Sequence, residues 1–220
     1  MRFVNEFKMH MYSSNNYERY ISDIIKQDIS YSNNNTQEDF ILVKEEDSLF
    51  WCLYIIAFGL DKYIMHKGKN FDIQQQIKIA VIESMKDNKA ILKQYKLSKT
   101  VVEQNLLYDT EIQYGSFFYL CMYYKKNVII IKDRVYYECI GDPSDTEIVM
   151  LKKINHHYAI YPKPEKEYAL KYFKIENVSK PLLSITSYKL DELRVMCNKL
   201  KLEVDGKKKD LYERIVKCIN

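Results

Sequence analysis

Residues Glu45–Gly59 read EEDSLFWCLYIIAFG. Three acidic residues run into Ser48, and from there to Phe58 the chain carries no charge, no proline and no glycine. A helix that is apolar on every side has to be enclosed by other elements. Asp47 or Ser48 can cap its start and Gly59 can stop it. The spacing predicts a central core helix over Ser48–Phe58. One further question follows from Cys52, which lies one turn beyond Ser48 on the same face: whether the first turn also carries a nucleophile.

Working outward, Ile73–Met85 has apolar residues at Ile73, Ile77, Ala80 and Val81, an amphipathic helical spacing. Shorter helical stretches are expected around Lys89–Tyr95 and Ser98–Leu107. Gly115–Tyr124, GSFFYLCMYY, reads as a second buried helix. The period then changes. Asn127–Ile131, Arg134–Ile140, Glu147–Leu151 and His157–Tyr161 are β-branched or aromatic runs broken by KD, GDPSD and KKIN, which predicts an antiparallel meander. Helices first and strands afterwards make the fold class α+β. Residues 1–39, with two Ser/Asn clusters, read as a polar, loosely ordered lead-in with at most one short helix. The main domain is expected over 40–162, a proline-flanked charged connector over 163–183, and a separate module over 184–220.

The chain has 220 residues, of which 47% are hydrophobic and 14% aromatic, so it can bury a sizeable core. No apolar run reaches the ~18–20 residues of a membrane span. The N-terminus lacks the apolar stretch and small-residue site of a signal peptide, and the setting is expected to be intracellular. The five cysteines are scattered with no CxxC pair, and the four histidines add one adjacent pair, His156–His157. That pattern predicts reduced thiols and no metal or cofactor. Only five of the 34 basic residues are Arg. The preference for Lys, Ile, Asn and Tyr is that of an AT-rich genome, which large DNA viruses, some protists and low-GC bacteria fit.

The C-terminal residues read ITSYKLDELRVMCNKLKLEVDGKKKDLYERIVKCIN from Ile185. Thr186 or Ser187 can cap a first helix with Leu190, Leu193, Met196, Cys197 and Leu200 inward. Asp205–Gly206 makes a turn, and a second helix from Lys208 to Ile219 turns Leu211, Ile215, Val216 and Ile219 inward. The LDEL stretch, the Leu200–Leu202 exit, the Gly206–Lys207 turn and DLYERI resemble the SAP motif, a helix–extended turn–helix module of DNA-associated proteins. The resemblance implies double-stranded DNA as partner, bound mostly through phosphates. Lys207, Lys208 and Lys209 sit where a helix N-terminus already favours phosphate, and Lys201, Lys199 and Arg194 widen the patch.

Asp47, Leu49 and Phe50 at a helix start, followed by helices, an aliphatic strand and a strand opening with His157–Tyr158, resemble the ovarian-tumour (OTU) branch of papain-like cysteine peptidases. The resemblance implies a papain/OTU-like helical half with a small antiparallel sheet, deubiquitinase or isopeptidase chemistry, and ubiquitin or a ubiquitin-like protein as partner. His157 would be the base and Asp47 its orienter. The sequence departs from the pattern in three places. Ser48 stands where the nucleophilic Cys is expected, Ala159 where an Asp or Asn would follow the His, and no glycine precedes the nucleophile position. The resemblance implies that Ser48 is a lost or substituted nucleophile, with Cys52, flanked by Trp51 and Leu53, as the rival position and a packing role as its alternative. Two functions follow: a peptidase tethered to DNA, or a DNA-associated scaffold or packaging protein that keeps the domain without its chemistry.

Overall fold

The computed structural model describes residues 40–66, 69–161, 163–165 and 167–219; the expected lead-in of residues 1–39 lies outside them. β1 (Ile41–Val43) leads into α1 (Ser48–Phe58), in which every residue from Ser48 to Ile55 is buried. The helix is enclosed by α2 (Leu60–Met65), α6 (Tyr114–Tyr123) and strands β1 and β5 (His157–Tyr161), which is why it is apolar on every face. α3 (Asn70–Ser84), α4 (Lys89–Gln94) and α5 (Lys99–Tyr108) complete the helical half.

The sheet has six strands in the order β1-β5-β4-β2-β3-β6, with β2 at Asn127–Lys132, β3 at Val135–Ile140, β4 at Val149–Ile154 and β6 at Phe173–Lys174. The expected meander is therefore corrected. β2 and β3 form an antiparallel hairpin, but β4 lies on the other edge of β2 and runs parallel to it, with Val128 opposite Val149. The chain leaving β3 crosses the start of β2 to get there. Asn127, 4% exposed, holds that crossing: its Nδ2 donates to the carbonyls of Asp142 and Asp145 at 2.9 and 2.8 Å, and its Oδ1 accepts from Asp142 N–H. Gly141 is required at the crossing point, because a Cβ there would lie 2.6 Å from the Lys126 backbone and 2.7 Å from the Cys121 carbonyl oxygen.

β4 also runs further than the sequence suggested. Lys152 and Lys153 stay in the strand, and the break falls at Asn155–His156, with Asn155 at φ 56°. Each lysine holds its ammonium over a ring, Lys152 at 4.5 Å from Tyr161 and Lys153 at 5.8 Å from Tyr158. The central strand β2 is buried on both sides, which explains its unbroken NVIII run. Val128 and Ile130 face the helices, while Ile129 and Ile131 join Tyr136 and Met150 on the other face.

Residues 163–165 and 167–183, within the stretch expected as a connector, pack on both faces, Tyr168 and Tyr172 on this second one and Phe173, Ile175, Val178 and Leu182 with the core on the helix side. They form α7 (Tyr168–Lys171) and β6, which pairs parallel with β3, and Ile175 is buried with its N–H on the Tyr136 carbonyl at 2.9 Å. A 3₁₀ turn (Ile185–Ser187), α8 (Leu190–Lys199) and α9 (Lys208–Ile219) follow. Thr186 and Ser187, the expected caps, lie in the 3₁₀ turn, where both hydroxyls bond to Ser184 Oγ. α8 starts later, with Lys189 N–H donating to Glu192 Oε2 at 2.7 Å. Leu193, Cys197, Leu200, Leu211, Ile215 and Ile219 are the buried residues of the two helices.

Candidate functional site

The start of α1 is built around Asp47, 3% exposed. One oxygen caps the helix at Phe50 N–H (3.2 Å), both accept from Ile112 N–H (3.2 Å), and the other takes Gln74 Nε2 at 2.8 Å and the buried Lys78 ammonium at 3.5 Å. Burial raises the Asp47 pKa above its ordinary value against the opposing pull of the Ile112 and Phe50 N–H groups and Lys78. These partners occupy the carboxylate that the sequence offered as an orienter for histidine.

Ser48 is 3% exposed, and its Oγ accepts from the backbone N–H of Tyr158 at 3.2 Å, 110 residues away. The helix start and the His-Tyr strand are thus joined, but through the backbone rather than an imidazole. Tyr158 and Ile160 face the helical core, so His157 shares the other side of β5 with Ala159 and Tyr161. His157 Nδ1 is buried and has no hydrogen-bond partner among the described residues. It is His156, in the hairpin turn, that lines a cleft of about 260 Å³ together with Ser48, Glu111, Lys153, Tyr114 and Tyr158. Tyr114 and Tyr158 share an O–H···O hydrogen bond of 2.8 Å there. Cys52 is wholly buried, its thiol donates to the Tyr158 carbonyl at 3.7 Å, and burial, with Glu45 and Asp47 nearby, pushes its pKa well up. That setting favours the neutral thiol over the thiolate, the form that attacks. Among the described residues no group of three or more His, Cys, Asp or Glu is placed to hold a metal.

At the other end of the chain, Lys199, Lys201, Lys207 and Lys209 are exposed and Lys208 is half-buried. Lys207 precedes α9 and Lys208 opens it, so the run occupies the helix's first turn. Gly206 takes φ 125° to turn the chain into that helix. Asp210 accepts the Lys207 N–H at 2.9 Å, and Lys209 reaches Glu213 at 3.8 Å along the exposed face. Arg194 pairs with Asp191 at 3.2 Å.

Residues 184–217 match the SAP domain.

Comparison of the chain with curated proteins and with solved structures finds no match. The match to the SAP domain points to nucleic-acid binding and fits the lysine run at the start of α9. Two arginines that the sequence reading left aside or did not weigh shape the SAP domain. Arg214 ties down the extended turn, its guanidinium donating to the Glu203 and Asp205 carbonyls at 3.1 and 2.5 Å and pairing with the Glu203 carboxylate at 3.1 Å. Arg134, at the tip of the β2–β3 hairpin, donates to the Leu200 and Lys201 carbonyls at 2.8 and 3.0 Å and so caps the C-terminal end of α8 from outside. Neither contact has a local sequence signal, since each depends on a residue brought in by the fold. Arg134 sets the SAP domain's α8 end against the larger domain and leaves the lysine-bearing start of α9 exposed.

Proposed function

We propose that the chain is a DNA-associated protein whose SAP domain holds double-stranded DNA at the start of α9, while the larger domain acts without catalysis as a scaffold or packaging element. The observation that carries this reading is the run Lys207–Lys209 at the N-terminus of a helix within the SAP match. Free first-turn N–H groups, the helix dipole and the ammonium groups all favour phosphate at one place. Contacts of this kind position a duplex and read little sequence. The test is duplex binding as a function of salt. Three to four phosphate contacts give a log–log slope of roughly −3 to −4, with little dependence on sequence. Lys207→Glu with Lys208→Glu should abolish binding; binding that survives both changes in about 0.5 M salt places the contact elsewhere. The setting that suits this function is wherever such DNA is exposed, whether a nucleus, a cytoplasmic viral factory or a virion.

One observation favours a second reading for the larger domain. Ser48 at the start of α1 meets the strand carrying His157–Tyr158 through the Tyr158 N–H, the same pairing of elements as in an OTU-like peptidase, with His156 rather than His157 lining the cleft. In this reading the cleft is a disabled (iso)peptidase site, for which a ubiquitin-type tail is the implied occupant. Restoring the thiol tests it. Ser48→Cys should alkylate with iodoacetamide near pH 6, well ahead of Cys52, because a helix N-terminus favours thiolate. A ubiquitin-type suicide probe should label it only where the substrate groove also survives. If the new thiol reacts no faster than Cys52, the second reading fails and the first stands unaffected.

A further inference from the structure

Lys207, Lys208 and Lys209 can meet phosphates together only if the turn that delivers them holds one shape. Residues 203–207, which make that turn, belong to no helix or strand, and an irregular stretch of this kind has many shapes open to it. Two residues of α9, one helical turn apart, oppose that freedom. Asp210 accepts the Lys207 N–H at 2.9 Å, and Arg214 reaches back to the Glu203 and Asp205 carbonyls at 3.1 and 2.5 Å. Arg214 also pairs with the Glu203 carboxylate at 3.1 Å. Gly206 sits between the two holds at φ 125°, where a Cβ would lie 3.2 Å from Asp210 Oδ2 and 3.7 Å from Arg214 Nη2.

By sequence alone Arg214 would be counted as one more phosphate ligand, because it follows Lys207 by two helical turns on the same stripe of α9 as Asp210. Its partners give it another task. Nη1 donates to two carbonyls and Nη2 meets a carboxylate, so the guanidinium fork is spent on the turn. Its side chain is 33% exposed, against 78% for Lys209 in the first turn. A lysine at position 214 would keep the charge, but a single ammonium does not reproduce the planar fork that spans these three acceptors.

We propose that Arg214 is a positioning residue for DNA binding. Without touching the duplex, it holds residues 203–206 so that Lys207–Lys209 and the free N–H groups at the start of α9 face one phosphate path. The inference rests on the reading of that helix start as the DNA contact, and adds to it a residue that acts through the lysines. A turn held in advance does not have to be ordered when the duplex arrives. The effect of Arg214 therefore falls on affinity and leaves the number of phosphates met, which the salt slope counts, unchanged.

The experiment is duplex binding by the full chain over a range of salt, for wild type, Lys209→Gln, Arg214→Lys, Arg214→Gln and Gly206→Ala. All are assayed well below their melting temperatures, where a role in stability alone leaves affinity unchanged. Lys209→Gln removes a phosphate contact, so its log–log slope should be shallower by about 0.9. Arg214→Lys should weaken binding at least about fivefold at every salt concentration and keep the wild-type slope. Amide exchange at Lys207 should quicken in it, while Leu211 and Ile215 exchange as in wild type. Gly206→Ala disturbs the same turn without changing a charge and should also weaken binding at an unchanged slope. The inference is overturned if Arg214→Lys or Gly206→Ala binds as wild type. It is overturned equally if Arg214→Gln flattens the slope as Lys209→Gln does, which marks a direct phosphate contact. Each of these results leaves the DNA reading standing, whereas wild type without salt-dependent duplex binding overturns that reading and the inference with it.

Discussion

Asp47 serves four partners on three segments with two oxygens: its own helix at Phe50, α3 at Gln74 and Lys78, and the loop before α6 at Ile112. Its role as a helix cap was legible, because an acidic residue before an apolar run is a local pattern. Its other partners were not, because residues distant in sequence supply them. Burial raises its pKa above 3.8, so the folded chain holds this proton more tightly than the unfolded chain. Stability is then favoured where the carboxyl is protonated and falls as pH rises through the raised value. Thermal unfolding from about pH 4 upward should show wild type losing stability relative to Asp47→Asn, in which the group cannot ionise. A difference that is flat or grows with pH would mean that Lys78 outweighs desolvation. Asp47→Ala is the harsher change: it strands the Lys78 ammonium at 2% exposure and should cost about 3–5 kcal/mol by denaturant unfolding.

Among the elements, α1, α6 and the central strand β2 were readable because a run buried on all sides leaves no polar face in the text. Sheet order was not. Strand periodicity says which residues are strand, but the neighbour of β2 is decided by a loop that crosses it, pinned by Asn127 and admitted by Gly141. The site divides in the same way. The histidine pair was visible, yet which member faces the cleft depends on a break at Asn155 rather than at the lysines. In the SAP domain the helical spacing of apolar residues identified the six buried positions, with Leu190, Met196 and Val216 only half-buried, and Leu193 is wholly buried. Leu193→Ala should cost about 2–5 kcal/mol, comparable to what so small a core supplies. DNA binding should be lost while the fluorescence of the single tryptophan, Trp51 in α1, keeps its native emission. Tryptophan exposure at the same temperature as the loss of binding would show that the two parts unfold together.

For the molecule as a whole, Arg134 links the larger domain to the SAP domain at the end of α8. Its two bonds to the end of α8 are partly exposed, so Arg134→Ala should cost only about 1 kcal/mol in global unfolding. Its larger effect should be on orientation. Amide exchange at Leu200–Leu202 should quicken, while affinity for a short duplex, held in the proposed mode at the start of α9, stays near wild type. Unchanged exchange there would mean that the seam's apolar contacts fix the SAP domain without the guanidinium.

The pairing of β1 with β5 also sets a timetable for the chain as it is made. Ile41, Leu42 and Val43 are among the first described residues to leave a ribosome, yet their ladder partners are Ile160, Ala159 and Tyr158. Until those emerge, the first strand has an unpaired edge and the apolar α1 lacks one of its walls. Nearly all of the larger domain must therefore be synthesised before either can close. Pairings so far apart in sequence slow folding and leave apolar surface open to other chains in the interval. The SAP domain, whose two helices pack on each other, can form that pairing without such a wait.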